Sequence, residues 1–155
     1  MLRLAAVLVL LPTIALADIT GSAKVIDGDT IEVASQRIRL HGIDAFERAQ
    51  TCGAEAWPCG ARATRWLTAI LRGHTVRCVV TGRSYDREVA TCITGGPRTL
   101  GHVLVRLGLA LADPVKGGDY LADEAWARKH GKGAWSHQPF VAPWNWRRGK
   151  RLTWR

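Results

Sequence analysis

Two aspartates offer the first sign of chemistry in this sequence. Asp29 ends an Asp27-Gly28-Asp29 turn and Asp44 follows a separate strand-like run, so their carboxylates could converge and hold one hard cation through oxygen. A reaction that needs such a cation is attack on a phosphodiester. That group is an anion and repels hydroxide, and the attack adds charge to its oxygens, so a catalyst needs a cation there, a positioned water and donors aimed at the developing charge. The chain as a whole suits an anionic partner. Its 22 Lys+Arg against 13 Asp+Glu give a formal charge of +9, favouring nucleic acid first and a membrane surface or acidic polymer second. Singly, each residue has a plainer use. Asp29 would be a turn residue, Arg39 the exposed face of an alternating strand, Glu47 and Arg87 loop charges, and Tyr85 a half-buried rim aromatic. Only the set carries a functional reading.

Positioning that set requires a folded frame. At 155 residues the chain allows one ordinary domain, and 47% hydrophobic with 23% charged residues excludes wholesale disorder. No run approaches the roughly 20 apolar residues that span a bilayer, which excludes a polytopic membrane protein. Short β-branched runs at 22–26 and 30–34 flank the Asp-Gly turn, and 36–43 alternates Ile38 and Leu40 against Arg37, Arg39 and His41. Residues 45–60 read as a loop. Ala63, Trp66, Leu67, Ile70 and Leu71 follow amphipathic-helix spacing, with Gly73 as the stop. Two further strands at 74–81 and 87–94 precede helices at 100–107 and about 120–130. Five short strands with an interposed helix predict an α+β fold, a five-stranded OB-fold Greek-key barrel with about three packed helices.

Five strings carry a resemblance. Residues 24–33 read KVIDGDTIEV, followed by RIRLHGIDAFE (37–47), YDREVA (85–90), LGHVLVRLGLA (100–110) and GKGAW (131–135). In order and spacing they resemble the staphylococcal nuclease (thermonuclease) family over nearly all of residues 23–135. The resemblance implies a Ca²⁺ ion held by Asp29, Asp44 and the Ala45 carbonyl, and Glu47 as the general base on the attacking water. It implies Arg39 and Arg87 as phosphate-gripping arginines, a role suited to a planar, permanently charged fork, and Tyr85 as a phosphate contact. The implied activity is calcium-dependent hydrolysis of DNA and RNA at the bond to the 5′ oxygen. Ala45-Phe46 stands where the family commonly has Thr-Pro. Ala112-Asp113-Pro114-Val115 stands where an aromatic pair is usual.

Residues 1–17 combine Arg3, a short apolar run and Ala15-Leu16-Ala17, the pattern of a secretory signal peptide, which predicts export to a periplasm or the medium. In an oxidising compartment Cys52, Cys59, Cys78 and Cys92 read as disulfide candidates with the pairing open. Cys52 with Cys59 would close a small loop, and Cys78 and Cys92 could face each other across a hairpin. Neither Cys-x-x-Cys nor paired histidines at ligand spacing occur, which argues against zinc. The expected organisation is a signal at 1–17, a nuclease-like OB-fold domain at 18–140 and a basic, Trp-rich tail at 141–155. That tail interleaves Trp144, Trp146 and Trp154 with Arg147, Arg148, Lys150, Arg151 and Arg155. It suits single-stranded nucleic acid or an anionic membrane surface, or else Trp144 packs on the barrel and the end is disordered. No obligate protein partner is evident. The rival to the enzyme is a non-catalytic OB-fold module binding nucleic acid or an acidic polymer. A pure polyanion binder, however, gains nothing from clustered carboxylates.

Overall fold

The computed structural model describes residues 18–152, so the expected signal lies outside the described residues. Five strands close a barrel in the order β1 (Asp18–Val25), β2 (Thr30–Val33), β3 (Gln36–Leu40), β6 (Arg87–Ile93) and β5 (Thr75–Ser84). Neighbours pair antiparallel except β3 with β6, whose parallel register Ile38↔Glu88 and Leu40↔Ala90 closes the cylinder. The alternation read in the sequence does the packing. Ile31, Val33, Ile38, Leu40, Val76 and Ala90 point inward and are buried. The amphipathic face of α1 (Cys59–Leu71) adds Ala63, Leu67 and Leu71, and α2 (Leu100–Arg106) adds Leu104 and Val105. The Thr99 hydroxyl caps α2 by accepting from the His102 N–H at 3.1 Å. Helix α3 (Leu121–Lys129) docks on α2 through Asp123, whose Oδ1 accepts from Arg106 Nη1 at 3.2 Å. Among the described residues no helix is long and apolar enough to cross a membrane.

The expected strand at 36–43 divides. β3 ends at Leu40, and Ile43–Ala45 forms β4, which leaves the barrel to pair antiparallel with β7 (Ala110–Ala112). Gly42 makes the break. It sits at φ +71°, and a Cβ there would stand 2.7 Å from the Tyr120 ring. Tyr120 lies far along the chain, so the alternating pattern of Ile38 to Ile43 carries no sign of the bend.

A second, smaller cluster lies beside the barrel. Phe46, Leu111 and the Cys52–Cys59 disulfide pack with Trp135, Phe140 and Trp144. Cys78 and Cys92 are directly opposed on β5 and β6 and form the other disulfide. Trp144 packs in this cluster beside the barrel, and residues 153–155 of the expected tail lie outside the described residues. A fourth helix, α4 (Pro143–Arg147), stands in the segment expected as a basic, Trp-rich tail, with Pro143 in its first turn.

Candidate active site

The barrel sets the site by register. Thr30 pairs with Arg39 across β2 and β3, which brings Asp29, just before β2, beside the Arg39 guanidinium. The bend at Gly42 then turns β4 back, so Asp44 reaches the same guanidinium. Arg39 Nη1 donates to Asp29 Oδ1 at 3.1 Å, and its Nη2 donates to Asp44 Oδ1 at 3.0 Å and to the Ile43 carbonyl at 3.3 Å. Asp29 Oδ2 also accepts from the Ala45 N–H at 3.2 Å. Gly28 permits this approach, because a Cβ there would lie 2.7 Å from that of Ala45.

Above this floor opens a cleft of about 580 Å³ lined by Asp29, Arg39, Ala45, Glu47, Tyr85 and Arg87, among others. Glu47 comes from the loop after β4, whose backbone presses on the start of α1. A Cβ on Gly60 would fall 1.7 Å from the Glu47 carbonyl oxygen, so only glycine fits there. Gln50 Oε1 accepts the Glu47 N–H at 3.1 Å and fixes the loop from the other side. Arg87 starts β6 and reaches the Thr30 hydroxyl at 3.5 Å. Tyr85 sits in the β5–β6 turn at φ +57°, a sparsely populated conformation for a bulky side chain, and the residue is 94% exposed at the cleft edge.

The electrostatics are those of buried charge under compensation. Burial lifts the Asp29 pKa from 3.8 to about 6. Arg39 and the Ala45 N–H pull it down, while Asp27 and Asp44 push it up. Burial also opposes the Arg39 charge, but Asp29 and Asp44 outweigh it and the guanidinium pKa rises.

One participant was not among the expected site residues. Arg147, at the end of α4, donates from Nη1 to Asp44 Oδ1 at 2.9 Å and to Glu47 Oε1 at 2.7 Å, and from Nη2 to Asp44 Oδ2 at 2.6 Å. The hydrogen bond to Asp44 works against burial, and with that to Glu47 it raises the Arg147 pKa above its ordinary value. Arg147 counted in the sequence only as one cation of a basic tail. Pro143 followed at a short distance by Gly149 was the available sign of a helix there.

Asp29, Asp44, Ala45, Glu47, Arg39, Arg87 and Tyr85 thus belong to one region of the molecule, drawn from separate segments of chain. The carboxylates do not meet directly. Arg39 stands between Asp29 and Asp44, and Arg147 between Asp44 and Glu47. Among the described residues no group of three or more His, Cys, Asp or Glu is gathered closely enough to form a metal cluster. The donors themselves are hard oxygens, the chemistry that calcium takes.

A family model described as "Staphylococcal nuclease homologue" matches residues 37–137. The succinoglycan biosynthesis protein ExoI of Rhizobium meliloti is 37% identical over 128 residues, which cover 78% of this chain and 66% of that protein. An uncharacterized endonuclease of Escherichia coli O157:H7 is 34% identical over 146 residues, covering 86% of this chain and 88% of the relative. The probable endonuclease LCL3 of Arthroderma otae is 33% identical over 135 residues, 77% of this chain but 46% of the fungal protein. The barrel, the cleft and these likenesses agree, and the chain belongs to the staphylococcal nuclease family.

Proposed function

We propose that this protein is an exported, calcium-dependent nuclease that hydrolyses phosphodiester bonds of DNA and RNA. The observation that carries the reading is the cleft itself, where Glu47, Arg39 and Arg87 face one space large enough for a phosphodiester and its flanking sugars. Asp29, Asp44 and the Ala45 carbonyl would hold the calcium ion, which supplies positive charge to the phosphoryl oxygens.

The protein's own groups do the rest. Glu47 is the one carboxylate of the three whose side chain is well exposed, at 38%, against 6% for Asp29 and 2% for Asp44. It can therefore touch a water in the cleft and take its proton, while the buried pair cannot. Arg87 grips the phosphate from the β6 side of the cleft, and Arg39, already oriented by two aspartates, donates from below. The Tyr85 hydroxyl stands at the mouth as a phosphate contact. The name endonuclease borne by relatives supports attack within a strand. The two disulfides fit an oxidising compartment and so support export.

The test is digestion of DNA and of RNA by the purified protein in calcium and in chelator. Cleavage of both that needs calcium is the expected result, and no cleavage under either condition would remove the reading. A second reading has one observation in its favour. The relative from Rhizobium meliloti is named for the biosynthesis of succinoglycan and not as a nuclease, which favours the non-catalytic alternative. A non-catalytic module of that kind would bind polyanions in a salt-sensitive way and cleave none.

A further inference from the structure

Arg147 occupies the lone pairs that a cation at Asp44 would need. Its guanidinium takes both carboxylate oxygens of Asp44 and one of Glu47, at 2.6 to 2.9 Å. Asp44 has almost no access to solvent, with a side chain 2% exposed, so these two guanidinium groups, Arg39 and Arg147, are its compensation. The two differ in how they are held. Arg39 is embedded in a barrel strand and 19% exposed, whereas Arg147 is the last residue of a short helix and 43% exposed.

The helix has anchors ahead of Arg147 that do not depend on it. Pro143 is buried, Trp144 packs in the cluster of Phe46 and Phe140, and Gln50 Nε2 donates to the Val141 carbonyl at 2.6 Å. A rotation of the Arg147 side chain would therefore free Asp44 while the helix stays docked. Arg39 touches only Oδ1 of Asp44, whereas Arg147 also takes Oδ2, so a divalent ion at Oδ2 would compete with Arg147 for the same lone pairs and be repelled by its charge.

We propose that Arg147 is a tethered counter-cation that holds Asp44 and Glu47 in the metal-free protein and exchanges with the divalent ion when it binds. The inference rests on the calcium reading above and deepens it. In the metal-free state the buried Asp44 charge stays paired and Glu47 is engaged. On exchange Glu47 is released to the water in the cleft, and the guanidinium remains on the cleft rim, beside the space a substrate phosphate enters. Arg147 is thus a positioning residue that couples metal loading to readiness of the base.

Calcium titrated calorimetrically into the full chain, at constant low salt, tests this. Arg147→Gln should bind calcium about tenfold or more tightly than the wild type, since a competing charge in contact with the carboxylates is gone. Arg148→Gln removes an equal charge from an exposed neighbour and should change the affinity by no more than about twofold. Melting curves with and without calcium give a second readout. The rise in Tm on adding calcium should be larger for Arg147→Gln than for wild type. Equal calcium affinity in wild type and Arg147→Gln would overturn the exchange and leave the calcium reading standing. Weaker binding by the variant would also overturn it, since Arg147 would then be assembling the site and not competing for it. Absence of binding in both proteins would overturn the calcium reading as well.

Discussion

Asp29 lies beside a guanidinium and still has a raised pKa, because burial outweighs the attraction. The consequence for stability has a definite sign. The folded value of about 6 lies above the ordinary 3.8, so the folded state holds the proton more tightly than the unfolded chain. The contribution is full below the unfolded value and is lost as pH rises towards the folded one. In chelator, the Asp29 share of stability should therefore fall between about pH 4 and pH 6, and Asp29→Asn should flatten that fall. Urea unfolding at several pH values measures it, and an unchanged profile in the variant would contradict the burial argument. The charges of the site were legible in the sequence as residue types, since Asp29, Asp44 and Glu47 stand in short strings with Arg39 close by. Arg147 was not legible, because its partners lie about a hundred positions away and nothing in a basic tail singles out one arginine.

At the scale of elements, three local devices bring these side chains together, and two of them are glycines. Gly42 breaks the strand so that β4 turns back towards Asp29, and Gly60 lets the Glu47 loop close on α1. Replacing Gly60 with Ala should cost about 3 kcal/mol through overpacking against the Glu47 carbonyl. It should also lower turnover by moving the base, which thermal unfolding and a cleavage assay on the same sample would check together. The third device is the hairpin of β5 and β6, where Cys78 opposes Cys92 in register behind the turn that displays Tyr85 and Arg87. Substituting both cysteines with Ala should cost about 3 kcal/mol, the loop entropy of a bridge closing about 15 residues. The cleft should survive, so activity at low temperature should persist while urea resistance drops. The barrel strands and α1 to α3 could be read from alternation and helical spacing because those patterns are local. The β4–β7 ribbon depends on Tyr120 and on pairing across the chain, which no local pattern records.

The whole molecule adds a long-range field to this local geometry. With a formal charge of +9 it should draw nucleic acid to the cleft electrostatically, and binding should weaken steeply with salt as counterions are released. For a Glu47→Gln protein bound to single-stranded DNA, affinity should fall at least about tenfold between 50 and 200 mM salt. A flat salt response would contradict electrostatic recognition of the phosphates, by the cleft arginines as much as by the surface. The central claim, that this cleft hydrolyses phosphodiesters with Glu47 as base and Arg87 on the phosphate, is tested most directly by single-turnover cleavage of DNA in saturating calcium. Glu47→Gln should slow the reaction by about 10²–10⁴ and Arg87→Ala by about 10²–10³, with both proteins folded. Wild-type rates in both variants would contradict the account.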